Sequence, residues 1–264
     1  MKIAVLGTGK MGAAMAKGLT REGRNACDMV LTNTTGILPD SLKELGLPCT
    51  RDNAEAVRGA DVVILAVLPQ QYPAVLAEIR DAAQPGACMI SIAPGYTLEQ
   101  LDDLTGGRFQ LVRAMPNTPA LVGEGMIAVC RGKGVTDEAF DLALRVLGAL
   151  GQTETVSEAQ LNAVIGISGS APAYVYMFVD ALADAGVLGG LHRSQAVRMA
   201  AQMLYGSAAL LRETGKSPAE LREMVCSPAG TTIEAVASLE DSGFRGAVIR
   251  AARAAMEKAQ KMSK

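Results

Sequence analysis

The first twenty residues of the chain combine a short apolar run, a glycine-rich turn and an amphipathic segment. Residues 2–6 read Lys-Ile-Ala-Val-Leu, and Gly7, Gly9 and Gly12 follow them. This order predicts a strand, a tight turn and the start of a helix. Gly7 allows the turn, Gly9 leaves room for a phosphate group, and Gly12 lets the helix pack closely on the sheet. The segment therefore predicts a loop that binds the pyrophosphate of a dinucleotide cofactor.

The composition is typical of a globular protein with a large core. Of the 264 residues, 49% are hydrophobic, and 25 basic and 27 acidic residues give a net charge of −2. This balance of charge argues against a nucleic acid or a membrane surface as the partner. With His192 as the only histidine, we expect no metal site. The five cysteines lack C-x-x-C spacing, which indicates a reducing compartment, and we expect a cytoplasmic protein.

Apolar runs alternate with helical patterns through the first part of the chain, up to about residue 156. Such alternation predicts an α/β fold with a doubly wound parallel sheet. Strands are predicted at residues 2–6, 29–32, 48–50, 61–67, 87–92, 109–114 and 126–130. From residue 157 onward the pattern is helical throughout, so we expect two domains, 1–156 and 157–264.

The predicted helices of the second domain carry faces of alanine and other small residues that recur every three or four positions. Small residues let helices approach closely, and a domain of this size with so many apolar faces is expected to bury some of them against a second subunit. The alternative is that the helices pack only on the chain's own sheet domain. Residues 171–188 are apolar but include Asp180 and Asp184, which favours a buried helix over a membrane span.

The end of the second predicted strand indicates which dinucleotide binds. An NAD-specific site usually has an acidic residue there, which bonds the ribose hydroxyls. This chain has Asn33 and Thr34 instead, whose amide and hydroxyl groups can donate hydrogen bonds to a 2′-phosphate. NADPH is therefore favoured and NADH remains possible, although no arginine follows the strand directly. Lys10, in the glycine loop, either adds positive charge or is simply solvated.

Two further loops are expected at the same edge of the sheet. Ligands of open α/β sheets bind beyond the carboxyl ends of the strands. Residues 67–70 and 93–95 each follow a predicted strand, so both loops are expected to line the cofactor crevice.

A late segment has the composition of an anion-binding helix start. Residues 227–232 read Ser-Pro-Ala-Gly-Thr-Thr, and the free N–H groups of a first helical turn can hold a carboxylate. An ordinary capped helix start would look the same.

Four segments, taken with the glycine loop, resemble the pyrroline-5-carboxylate reductase family along essentially the whole chain. They are residues 113–120, 166–174, 185–193 and 227–233. The resemblance implies NAD(P)H-dependent reduction of 1-pyrroline-5-carboxylate to L-proline, the final step of proline biosynthesis. It also implies a Rossmann-type domain followed by an all-α dimerisation domain, in a homodimer that often assembles into a decamer of five dimers.

The resemblance also assigns roles by position. The residues implied to bind the cofactor are Gly7, Thr8, Gly9, Lys10, Met11, Gly12, Asn33, Thr34, Val67, Leu68, Pro69, Gln70, Ala93, Pro94, Gly95 and Pro116. Those implied to bind the substrate are Met115, Asn117, Ser227, Gly230, Thr231 and Thr232. The hydroxyl of Thr232 is expected to face the ring nitrogen, and it is the one catalytic group that we assign.

The chain departs from the family pattern at several positions, and these leave alternatives open. The family commonly has Lys at Leu68, Ala at Pro94, Gly at Ala171 and Ala229, and Pro at His192. The same motifs would also be found in a paralogue that reduces a related cyclic imine, or in a non-catalytic sensor of NADP(H) or proline. A β-hydroxyacid dehydrogenase would share the glycine loop, but it needs a catalytic lysine, and no lysine lies between Lys133 and Lys216.

Overall fold

The computed structural model describes residues 1–21, 28–92 and 94–262, and the chain divides into two compact units. The first unit is Met1–Ser170 with Ala254–Lys264, and the second is Ala171–Arg253. The domain boundary that the sequence predicts after residue 156 stays a prediction.

The first unit contains a single mixed sheet with helices on both faces. Its strands are β1 Lys2–Leu6, β2 Asp28–Thr32, β3 Cys49–Thr50, β4 Val62–Leu65, β5 Cys88–Ser91, β6 Gln110–Met115, β7 Gly125–Arg131 and β8 Gly151–Thr155. Its α-helices are α1 Lys10–Thr20, α2 Asn53–Val57, α3 Tyr72–Ile79, α4 Leu98–Thr105, α5 Asp137–Leu147 and α6 Leu161–Val164. A π-helical turn, Ile165–Gly169, follows α6.

The strands lie in the order β3-β2-β1-β4-β5-β6-β7-β8. All neighbouring pairs are parallel except β6 and β7, which run antiparallel. The doubly wound sheet predicted from the sequence is therefore confirmed. The carboxyl ends of β1, β2 and β4 meet at one edge, where ligands of such sheets bind.

Alternate residues of the central strands enter the two layers of the core. Ile3 and Val5 pack with residues of α1 and α5 on one face, whereas Ala4 and Leu6 pack with residues of α2 and α3 on the other. All four side chains are fully buried. A parallel strand that is covered on both faces needs apolar residues at every position, which explains the continuous apolar runs in the sequence.

The second unit consists of helices whose apolar side chains are largely exposed in one copy of the chain. The helices are α7 Ala171–Leu188, α8 Arg193–Thr214, α9 Pro218–Val225, α10 Thr231–Asp241 and α11 Phe244–Met262, the last of which extends into the first unit. Gly186 lies close to Ala196, so small residues do let α7 and α8 approach closely. Of the residues in α7, only Ala183 is buried. The burial that the sequence predicts for residues 171–188 is therefore not found within a single copy of the chain.

Among the described residues, one helical stretch, Glu158–Leu188, is long and apolar enough to cross a membrane as judged by length and composition alone. Asp180 and Asp184 both lie within α7, and both pair with the guanidinium group of Arg193. These ion pairs place charge along the second half of the helix.

Candidate active site

Two glycines of the N-terminal loop are required by the fold, and the third is not. Gly7 has a φ of 105°, and a β-carbon there would lie 2.7 Å from the carbonyl oxygen of Ala66. A β-carbon at Gly12 would overlap the carbonyl oxygen of Gly7. At Gly9, by contrast, a β-carbon would meet no atom of a described residue within 4 Å. Open space in front of a helix start is the cradle that a pyrophosphate group needs.

The start of α1 is suited to bind an anion. Gly9 is the N-cap residue and supplies no side-chain hydrogen bond to the helix. Ala13 is the first residue whose amide donates within the helix, to the carbonyl of Gly9 at 2.8 Å. The N–H groups of the three preceding residues therefore face out of the helix end, as the first amides of a helix do. The predicted residues Lys10, Met11 and Gly12 contribute these groups.

A cleft of about 350 Å³ opens at the carboxyl ends of β1, β2 and β4. The predicted cofactor residues that line it are Gly7, Thr8, Gly9, Asn33, Thr34, Val67 and Leu68. The other described lining residues are Thr32, Arg51, Asn53, Ala66, Gln71 and Val75. Pro69 and Gln70 lie in the turn beside the cleft, where the structure puts Gln71 and not Gln70 on the wall.

Tyr72 links the carboxyl ends of β4 and β5. Its hydroxyl donates to the carbonyl of Leu65 at 3.2 Å and lies 3.1 Å from the Ser91 hydroxyl oxygen. Its ring stacks on that of Tyr96, with 5.1 Å between the centroids. Of the predicted residues in the second loop, Pro94 and Gly95 form a turn between Ser91 and Tyr96, and Ala93 lies outside the described residues.

The side chain of Asn33 is fully used within the protein. Its amide nitrogen donates to the Thr8 hydroxyl at 3.0 Å and to the carbonyl of Ile37 at 2.9 Å. Its carbonyl oxygen accepts from the amides of Gly36 at 2.7 Å and Thr35 at 3.0 Å. Since an amide nitrogen has only two hydrogens, Asn33 has no donor left for a ligand. It shapes the loop after β2, whereas Thr34 beside it is exposed.

Arg51 lines the cleft although the sequence analysis did not single it out. Its Nε donates to the carbonyl of Thr35 at 2.8 Å, so its guanidinium lies beside the loop after β2. The cause is the parallel pairing of β2 and β3, in which Thr32 is opposite Thr50. Arg51 therefore follows β3 just as Asn33 follows β2. The sequence signal that could have identified Arg51 is the short strand predicted at residues 48–50. Its pairing with β2 places the residue that follows it, Arg51, beside the end of β2.

Asn117, predicted to bind substrate, is buried and bonded on both sides. Its amide nitrogen donates to the carbonyl of Ser168 at 3.2 Å, and its oxygen accepts from the amide of Met126 at 3.0 Å. It thereby attaches the segment after β6 to the π-helical turn Ile165–Gly169, a kind of distortion that is frequent at functional sites. Met115 and Pro116, the two preceding residues, end β6 and start this segment. Met115 is also buried, within a small apolar cluster.

A partly buried ion pair anchors the same region. The guanidinium of Arg113 pairs with the carboxylate of Glu158, which also accepts from the amide of Leu98 at 2.7 Å. Burial raises the pKa of the Cys130 thiol nearby, and the charge of Glu158 raises it further while that of Arg113 lowers it. A thiol in that state stays protonated and is not a nucleophile at neutral pH.

The predicted carboxylate site is a helix start without a side-chain cap. Helix α10 begins at Thr231, and its N-cap is Gly230, not a serine or threonine. The amide of Gly230 donates to the carbonyl of Ser227 at 3.0 Å, and a β-carbon at Gly230 would overlap the Ser227 hydroxyl. The hydroxyls of Thr231 and Thr232 make no hydrogen bond to any described residue, although Thr232 is half-buried. Both hydroxyls and the first amides of α10 are thus available to a ligand.

Ala229 has a left-handed backbone, with a φ of 52°, and it is the only non-glycine residue with a positive φ among those described. We expect Ala229→Gly to raise the free energy of unfolding by about 0.5–1 kcal/mol. The relief of about 1–2 kcal/mol of strain exceeds the entropy that glycine adds to the unfolded chain. Urea unfolding of the two proteins measures the difference, and Ala235→Gly, within α10, is the control that should lower stability. A less stable Ala229→Gly protein would contradict the prediction.

Comparison with known proteins reveals relatives along the full length. A family model described as pyrroline-5-carboxylate reductase dimerisation matches residues 158–262, and one described as NADP oxidoreductase coenzyme F420-dependent matches residues 2–95. The pyrroline-5-carboxylate reductase of Escherichia coli strain K12 is 43% identical over 267 residues, which cover 100% of this chain and 98% of that protein.

Solved structures agree with the sequence comparison. A pyrroline-5-carboxylate reductase from Coxiella burnetii matches with a TM-score of 0.91 and 33% identity, over 99% of this chain and 98% of that one. The Plasmodium falciparum pyrroline carboxylate reductase, solved with NADP bound, matches with a TM-score of 0.88 and 29% identity, over 100% and 98% of the two chains. The resemblance seen in the sequence motifs is confirmed, and the chain belongs to the pyrroline-5-carboxylate reductase family.

Proposed function

We propose that this protein reduces 1-pyrroline-5-carboxylate to L-proline with NADPH as the preferred reductant and NADH as a possible substitute. The observation that carries the proposal is the 43% identity over the full chain with a reductase of that name. The cofactor fits the site, because Gly9 leaves space at the start of α1 that no atom of the described residues fills.

The chemistry requires orientation more than acid–base catalysis by the protein. Bound NADPH supplies the hydride that the imine carbon accepts. A cyclic imine is basic enough to take a proton from water, so the protein needs no histidine as an acid. The sole histidine, His192, lies at the exposed start of α8, in agreement with this.

The substrate carboxylate is proposed to bind at the start of α10. The first amides there have no side-chain cap and carry the positive end of the helix dipole. The hydroxyl of Thr232, which has no partner among the described residues, is proposed to contact the ring nitrogen. Ser227, Gly230 and Thr231 shape the turn around the carboxylate. Met115 and Pro116 are proposed to lie at the nicotinamide end of the cofactor site, and Asn117 positions that segment.

We also propose a cytoplasmic homodimer, with a decamer of five dimers as its larger assembly. The support is the dimerisation family model, which matches residues 158–262, and the exposure of large apolar side chains in this part of the chain. Tyr176, Met177 and Leu188 on α7, for example, are 62%, 73% and 90% exposed in one copy. Burying such a surface against a second copy of the chain would lower the free energy strongly.

An assay of NADPH oxidation with 1-pyrroline-5-carboxylate tests the proposed reaction. We expect turnover with this imine to exceed that with a six-membered cyclic imine acid, because the larger ring adds a methylene group that a site shaped for the five-membered ring does not accommodate. Faster turnover of the six-membered ring would identify a paralogue with another substrate. Binding of NADPH without turnover of either imine would identify a non-catalytic sensor. Either of these two results would overturn the proposal.

A further inference from the structure

We infer that Arg51 and Thr34 form the subsite for a phosphate on the 2′-oxygen of the adenosine ribose, and that Arg51 sets the preference for NADPH over NADH. The inference deepens the proposed function and rests on it only in that the cleft binds a dinucleotide. It concerns residues on two neighbouring strand ends, which come together through the pairing of β2 with β3.

The orientation of Arg51 leaves the outer side of its guanidinium free. Its Nε donates to the carbonyl of Thr35 at 2.8 Å, which fixes the inner edge of the group against the loop. The two terminal nitrogens make no hydrogen bond or ion pair with any residue that the structure describes. A planar guanidinium with free terminal nitrogens is the protein group best suited to hold a phosphate.

Thr34 supplies neutral donors beside this cation. Its side chain is exposed and lines the cleft, and neither its amide nor its hydroxyl bonds to a described residue. Its neighbour Asn33 has no donor to offer, because its amide is bonded to Thr8 and Ile37. The donors that remain at the end of β2 are therefore those of Thr34, and Arg51 provides the charge.

No other described residue that lines the cleft adds a charge to that of Arg51 or cancels it. Among the described residues that line the cleft, Arg51 is the only one with an ionised side chain. Asp52, the nearest carboxylate in the sequence, accepts a hydrogen bond from the amide of Glu55 and caps α2. Leu68 lines the cleft with an apolar side chain that is 67% exposed. The subsite thus carries one net positive charge, which attracts a phosphate dianion and contributes little to a neutral ribose hydroxyl.

Two small ligands isolate the 2′-phosphate, because adenosine 2′,5′-bisphosphate differs from 5′-AMP by that group alone. Isothermal titration calorimetry on the full-length protein is expected to show that the bisphosphate binds about 10- to 100-fold more tightly than 5′-AMP, as for a charged, hydrogen-bonded phosphate. In Arg51→Leu this ratio should fall close to one, with the affinity for 5′-AMP unchanged. Arg51→Lys should give an intermediate ratio, since it keeps the charge and loses the two-pronged geometry.

Arg58→Leu is the matched control, because Arg58 is an exposed arginine seven positions along the chain that does not line the cleft. It should bind both ligands as the wild type does. Steady-state kinetics should agree with the calorimetry. The KM for NADH divided by the KM for NADPH should be lowered by Arg51→Leu and unchanged by Arg58→Leu.

Wild-type discrimination in Arg51→Leu would overturn the inference. An equal loss of affinity for both ligands would also overturn it, since Arg51 would then support the cleft and not read the 2′-phosphate. Because the calorimetry needs no imine, its outcome is independent of the proposed reaction. A protein that discriminates between the two ligands but reduces no pyrroline-5-carboxylate would uphold the subsite and refute only the proposed function.

Discussion

Thr232→Ala is expected to lower the turnover number with 1-pyrroline-5-carboxylate about 10- to 100-fold, the range for one hydrogen bond to a charged group at a reacting centre. The reason is the state of this side chain in the structure. Thr232 is half-buried in the first turn of α10, and its hydroxyl bonds to no described residue. Thr232 is the second residue of α10, so its hydroxyl has no helical carbonyl four residues earlier to which it could donate. Its hydroxyl is therefore available to the ring nitrogen as the iminium becomes an amine.

The variant should fold normally, because alanine is the best helix former and no internal hydrogen bond is lost. Thr232→Ser restores a hydroxyl without the methyl group, and it should recover most of the turnover. Steady-state kinetics should also show a KM for NADPH that is unchanged in both variants, since Thr232 is assigned to the substrate and is not among the described residues that line the cofactor cleft. Turnover at the wild-type level in Thr232→Ala would remove this hydroxyl from the mechanism.

The fold could be predicted well where the signal is local and apolar. Strands β1, β4 and β5 are buried at nearly every position, and their sequences show this directly. The sequence does not predict strand β8, because its residues Gly-Gln-Thr-Glu-Thr are polar and largely exposed, and only its pairing with β7 makes it a strand. The antiparallel direction of β7 was likewise not predictable, since direction depends on the path of the connecting segment and not on the residues of the strand.

The site could be predicted only where the residues that determine its geometry lie close together in the sequence. The glycine loop does so, because its three glycines act within a few residues of each other. The role of Asn117 does not, since it depends on a bond to Ser168, which is 51 positions away. Asn33 was expected to donate to the cofactor, but contacts on both sides use its amide. Arg51 is not predicted by a motif, because it follows β3 and reaches the end of β2 only through the pairing of these two strands.

Gly9→Ala is expected to weaken NADPH binding by about 10- to 100-fold while leaving the thermal unfolding temperature unchanged. A β-carbon at this position meets no atom within 4 Å in the part of the chain that the structure describes, and Gly9 itself has an ordinary backbone conformation, with φ of −67°. The fold therefore does not need glycine here. The added methyl group would stand in front of the free amides of α1, where the pyrophosphate must approach, and each charged hydrogen bond lost there is worth about 1.5–3 kcal/mol.

Gly12→Ala separates this effect from damage to the fold. Its β-carbon would overlap the carbonyl oxygen of Gly7, so strand β1 and helix α1 would have to move apart. Overpacking of this kind typically costs about 1–3 kcal/mol, and the unfolding temperature should fall along with the affinity for NADPH. Fluorescence titration with NADPH and thermal unfolding of both variants make the comparison. If Gly9→Ala bound NADPH as tightly as the wild type, the pyrophosphate could not lie at the start of α1, and the cofactor would have to approach the sheet edge by another route.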